Sequence, residues 1–103
     1  MRKLLLLFLC TIVPAVVSAQ RHNVSGRVLI EDTDKPIGQA VVELPQAGLW
    51  AVADGDGNFT VKDVPAGKTR FVVSSLGFVT TETEVDVRAD MGRIRLYAPE
   101  DNL

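Results

Sequence analysis

The chain has 103 residues, 47% of them hydrophobic, with 11 basic and 13 acidic side chains and a formal net charge of −2. That length makes one domain, and the acidic balance excludes a module that holds nucleic acid by its phosphates or docks on an anionic membrane surface. A single cysteine excludes an internal disulfide framework.

Arg2 and Lys3 precede an almost unbroken apolar run from Leu4 to Val17, and Val17-Ser18-Ala19 sets small residues where a signal peptidase cuts. Residues 1–19 are expected to be an export leader, cleaved before Gln20. The run is too short and too cleanly ended for a transmembrane anchor. Leu9 before Cys10 is too bulky for lipoprotein processing. With the leader go Arg2, Lys3 and Cys10, so nine basic residues then face thirteen acidic ones, a net charge of −4. No thiol remains for a disulfide, a metal or nucleophilic attack. A chain this small buries only about 60–65% of the surface its unfolded form exposes, so its stability rests on the apolar core.

From His22 to Ile30, Val24, Gly26, Val28 and Ile30 share one face and Asn23, Ser25 and Arg27 the other, the period of a half-buried strand. Gly26 has no side chain to pack, so a bulky neighbour from the facing sheet is expected over it. Glu31 to Gly38 is polar, contains Pro36 and reads as a loop. Ala40 to Leu44 forms a second strand that Pro45 ends. Ala47-Gly48 turns the chain into a third, Leu49 to Ala53. Asp54-Gly55-Asp56-Gly57 is the strongest turn signal and predicts a tight hairpin into a fourth strand, with Phe59 and Val61 on one face. Val64-Pro65-Ala66-Gly67 reads as the next turn. In the fifth strand, Thr69 to Ser74, Phe71-Val72-Val73 is apolar on both faces and suits a central place. Phe78 to Val87 alternates most cleanly, with Val79, Thr81, Thr83, Val85 and Val87 opposite Thr80, Glu82, Glu84 and Asp86. Arg93 to Tyr97 is a short last strand, and 99–103 reads as a tail or the start of a linker.

The pattern predicts an all-β fold, a seven-strand antiparallel β-sandwich spanning 20–98. Its expected core is Val24, Val28, Ile30, Val42, Trp50 or Val52, Phe59, Val61, Phe71, Val73, Val79, Val85, Ile94 and Leu96.

No set of residues points to catalysis, so no catalytic, cofactor-binding or metal site is assigned and no cofactor is expected. Asp54, Asp56 and Asn58 alternate like calcium ligands, but Phe59 and Pro65 stand where an EF-hand loop needs glycine and a bidentate acid, so turn chemistry explains them better. His22 is the one histidine and has no oriented partner in the sequence. Glu82, Glu84 and Asp86 read as the wet face of a strand. Asn23-Val24-Ser25 and Asn58-Phe59-Thr60 match the glycan sequon, a weak three-residue pattern. Trp50 and Tyr97 are candidates for stacking on a sugar, although the apolar neighbours of Trp50 argue that it is partly core.

Val24-x-Gly26-x-Val28, Pro36-Ile37, Ala40-x-Val42, Asp54 and Gly57 before Phe59 and Val61, Pro65-x-Gly67, Val73 and Gly77-Phe78 follow one another in an order that resembles the carboxypeptidase regulatory-like domain family. The resemblance implies a transthyretin-like seven-strand sandwich. A leader followed directly by such a domain is similar to the N-terminal module of TonB-dependent outer-membrane receptors of the starch-utilisation type in Bacteroidetes-like bacteria. That implies an exported, periplasmic or outer-membrane, non-catalytic accessory domain for nutrient uptake. Its partner would be a receptor plug or barrel, or another envelope protein, with no nucleic acid bound and no membrane insertion of the domain itself. The alternative is a free-standing periplasmic or surface module that binds carbohydrate or peptide. A transthyretin-like hydrolase of purine breakdown would need several histidines and a characteristic C-terminal tail, which this sequence lacks.

Overall fold

The computed structural model describes residues 20–101; the expected leader, with its cleavage motif and Cys10, lies outside the described residues, as do 102 and 103. Seven strands and no helix occur among the described residues: β1 (Arg21–Ile30), β2 (Val41–Leu44), β3 (Leu49–Val52), β4 (Asn58–Pro65), β5 (Gly67–Ser74), β6 (Thr81–Val87) and β7 (Ile94–Ala98). They form two sheets, ordered β4-β1-β7 and β3-β2-β5-β6. This is the all-β sandwich that period two predicts, with β5 inside its sheet as the apolar Phe71-Val72-Val73 run requires. β1 and β7 pair in parallel, and the other pairs are antiparallel.

Between the sheets, Val24, Val28, Phe59, Val61, Val64 and Leu96 meet Val42, Leu44, Phe71, Val73 and Val87, all buried. Gly26 lies in the middle of this packing. It pairs with Phe59 on one side and Ile94 on the other. A Cβ there would meet the Ile94 carbonyl oxygen, Ile94 Cγ1 at 2.8 Å and Phe59 Cζ at 2.9 Å. The bulky cover therefore comes from strands of the same sheet and not from the facing one. An aromatic leaning over a strand glycine fills the space its missing side chain leaves.

A bulge changes the phase of β4. Val24 pairs with Val61 and His22 with Val64, so Lys62 and Asp63 together oppose Asn23. Asp63 takes φ of 60°, and its N–H donates to Asn23 Oδ1 at 3.2 Å. The extra residue turns Val64 inward, and a position expected in a turn is fully buried.

The Asp54–Gly57 turn is not a hairpin. β3 and β4 belong to different sheets, so the segment is an arch between them. Locally its chemistry is that of a tight turn. Asp54 Oδ1 accepts from the N–H groups of Asp56 at 2.9 Å and Asn58 at 3.0 Å, and the Asp54 N–H donates to the Asn58 carbonyl at 2.9 Å. Instead of facing a paired β3, the arch docks on β1: the Val28 N–H donates to the Gly57 carbonyl at 2.8 Å. Gly57 has φ of 80°, and a Cβ would stand 2.6 Å from the Val28 oxygen. The true hairpins are β2–β3, through Pro45–Gly48, and β5–β6.

Three expected core candidates are on the surface: Trp50 is 66% exposed, Val52 52% and Val79 45%. β3 faces the core with Leu49 and Ala51, which puts Trp50 and Val52 outside. Val79 precedes β6, which starts at Thr81 and not at Phe78. Ile30, Val85 and Ile94 flank the core, partly buried, while Ile37, Ala40, Ala53 and Ala98 join it, and Leu29 is buried on the other face of β1. Pro99 to Asp101 run beside Gly77 to Val79, with the Val79 N–H on the Pro99 carbonyl at 2.9 Å and the Asp101 N–H on the Gly77 carbonyl at 3.0 Å.

Gly26→Ala is expected to destabilise the fold by about 1–3 kcal/mol through overpacking, read by urea unfolding. The Asn58 and Asp56 N–H groups and the Arg27 charge hold the Asp54 carboxyl below its ordinary pKa. A carboxyl lowered by folding contributes stability above its unfolded pKa and loses it as pH falls through the folded value. Asp54→Asn should therefore lower Tm at pH 7 and shrink the fall in Tm on acidification below pH 4; an unchanged acid limb would count against the cap.

Candidate functional site

The polar residues singled out by the sequence are dispersed. His22 is half-buried on β1 opposite Val64. Asp54 is spent on its turn, and Asn58 Oδ1 accepts from Arg93 at 2.6 Å. Among the described residues no three His, Cys, Asp or Glu side chains come together as metal ligands. Glu82, Glu84 and Asp86 are exposed on β6, as a wet strand face should be, with Arg70 Nε 3.6 Å from Glu82 Oε1. Of the two sequon asparagines, Asn23 holds the bulge and Asn58 holds Arg93. Trp50 and Tyr97 stand on different sheets and form no common platform.

What the fold assembles instead is a surface on the four-stranded sheet. Strand register aligns Trp50, Glu43, Val72 and Glu82 in one row across β3, β2, β5 and β6, and Val52, Val41 and Ser74 in the next. Trp50 and Val52 are exposed, and Val41 and Val72 beside them are half-buried. Exposed Glu43 stands between Trp50 and Val72 in the first row, so the apolar patch proper is Trp50, Val52 and Val41, with Arg70 and Glu82 beyond Val72. It runs to β3, an edge strand.

The four edges differ. β4 carries the bulge with Lys62 and Asp63 and ends at Pro65, β6 carries Glu82, Glu84 and Asp86, and β7 carries Arg95. Charges, bulges and prolines are the devices that stop a strand edge from pairing with another chain. β3, Leu49-Trp50-Ala51-Val52, has none of them beyond being short. Composition alone could not place Trp50, because all four residues are apolar. The hairpin could have: pairing Leu44 with Leu49 across Pro45–Gly48 sets Trp50 opposite the charged Glu43. As the one tryptophan of the chain, Trp50 is expected to fluoresce like indole in water, to be quenched by iodide in the folded protein, and to shift little on unfolding.

Residues 24–103 match the CarboxypepD_reg-like domain family. No curated protein matches the chain. Among solved structures, similar chains occur in two interface mutants, one N-terminal and one C-terminal, of the type II Cohesin-X-Dockerin complex of Acetivibrio cellulolyticus. They are 30% and 29% identical, each with a TM-score of 0.58, over 74% of this chain and 51% of theirs. The present chain thus spans about half the length of those neighbours. A sandwich with the ordered Val24-x-Gly26-x-Val28 strand, Asp54–Gly57 arch and Gly77-Phe78 pair, matched from Val24 to the last residue, belongs to the CarboxypepD_reg-like domain family.

Proposed function

We propose that this chain provides an exported, non-catalytic accessory sandwich for a TonB-dependent outer-membrane receptor, working in the periplasm by contact with the receptor plug or barrel or with a neighbouring envelope protein. The observation that carries the proposal is the unguarded β3 edge beside exposed Trp50 and Val52. A strand from a partner can add to such an edge, with main-chain hydrogen bonds giving affinity and the tryptophan giving specificity. The leader-like first nineteen residues support export. Membership of the CarboxypepD_reg-like family and the likeness to chains from a protein–protein complex support an interaction role. The exposed Trp50 ring favours a second reading, a free-standing module that binds carbohydrate or peptide by stacking.

The two readings separate in one experiment. A photo-crosslinking residue at position 50, in the intact host, should yield an adduct in the outer-membrane fraction that contains a TonB-dependent receptor. The same residue at position 62, on a guarded edge, should yield none. Equal crosslinking at both positions, or a protein retained in the cytoplasm, sinks the receptor reading. A glycan-array signal lost in Trp50→Ala would establish the second.

A further inference from the structure

The outer face of the three-stranded sheet carries an open concavity of about 420 Å³, lined by Arg27, Arg93, Arg95, Asn58, Asp34 and Leu29. Parallel pairing sets Arg27 of β1 beside Arg95 of β7, and Asn58 of β4 lies on the other side of Arg27. Like charges directly across a sheet destabilise it. Two of the guanidinium groups are already oriented. Arg27 Nε–H donates to the Asp56 carbonyl at 2.9 Å; an Arg93 Nη2–H donates to Asn58 Oδ1 at 2.6 Å and reaches the Gly26 carbonyl at 3.3 Å. Every one of these acceptors is neutral. Among the described residues the one ion pair within 4 Å is Arg70–Glu82, on the opposite sheet, so Asp34 makes no close pair with any of the three. Three arginines thus line one concavity in a domain whose described part is acidic overall, with Asp34 the one carboxylate in the lining and Asp54 acting on Arg27 through space.

We propose that this concavity is an oxyanion site, which takes a carboxylate, phosphate or sulfate group of a small ligand between Arg27, Arg93 and Arg95. The guanidinium fork presents paired N–H donors at the spacing of such oxygens. Held in place by Asp56, Gly26 and Asn58, Arg27 and Arg93 lose little further freedom on binding. The volume is that of a small-molecule pocket, which runs from about 300 to 1,000 Å³. The site lies on the sheet opposite Trp50, so it stands or falls independently of the β3 contact.

The test is an amide NMR titration of the protein with inorganic phosphate, sodium sulfate and citrate in separate arms, at ionic strength fixed with sodium chloride. Saturable shifts confined to Asn58 and Arg93 to Arg95 are expected, and the tightest arm identifies the oxyanion. The Arg27→Gln/Arg95→Gln double variant should weaken binding at least tenfold, while Arg70→Gln leaves it unchanged. Without anion, Arg95→Gln should raise Tm by a few degrees, because a like-charge pair is relieved. Shifts that do not saturate, that survive in the double variant, or that spread to Lys68 and Arg70 overturn the site. A fall in Tm for anion-free Arg95→Gln overturns it too, since Arg95 would then be structural.

Discussion

The sandwich depends on one main-chain junction, where the Asp54–Asn58 arch meets the centre of β1. The pairing of β1 with β4 stops at Arg27 and Asn58. One residue further on, the backbone of Val28 would be left without a partner on that side, buried in the core. The arch and the Pro36 loop take over there. Val28 donates to the Gly57 carbonyl at 2.8 Å and accepts from the Ile37 N–H at 2.9 Å. The same loops close the end of the other sheet, with the Ala53 N–H on the Ala40 carbonyl at 2.8 Å and the Gln39 N–H on the Asp54 carbonyl at 3.1 Å. Two of the four connections between the layers, β1–β2 and β3–β4, are thereby fixed to each other. A buried main-chain group left without a partner costs about 1–3 kcal/mol, which makes this junction sensitive beyond its size. The close approach of Gly57 to Val28 is the geometric condition for it.

How much of this the sequence reveals depends on whether the deciding contact is local. Period two is local, and it places Val24, Val28, Phe71 and Val73 correctly. Turn chemistry is local as well, but it is ambiguous. An aspartate that bonds to the N–H groups two and four residues on serves an arch as well as a hairpin, and only the partner of the following strand tells them apart. That partner, β1, lies some thirty residues upstream. The bulge at Lys62-Asp63 is another non-local event: Asn23 holds it from the opposite strand, and it turns Val64, read as a turn residue from the Pro65-Ala66-Gly67 that follows, into the core. β6 shows a third kind of shortfall. Its alternation is real, but the strand starts only at Thr81, so Val79 before it is exposed while Val87 at its end is buried. Neither candidate surface corresponds to a motif. The patch at Trp50 needs the phase of a strand with four apolar residues in a row, and the arginine concavity joins residues 27 and 93–95 that meet only because β1 and β7 run side by side.

Charge is distributed unevenly over the two outer faces. Arginines gather on the three-stranded sheet and carboxylates on the β6 side of the four-stranded one, while β3 is neutral. Such an arrangement discourages random edge pairing at three strands and leaves one open, so an orientation for any docking chain is built into the fold. Specificity would come as much from the guarded edges as from the exposed tryptophan.

The parallel β1–β7 pair has a mechanical consequence. β1 begins beside Pro65 and ends beside Ala98, and β7 runs in the same direction. The two ends of the described chain, Gln20 and Asp101, therefore lie at opposite poles, separated by roughly 30 Å, the length of a ten-residue strand. A pull between these two ends would load the β1–β7 hydrogen bonds all at once, in shear, instead of unzipping them singly.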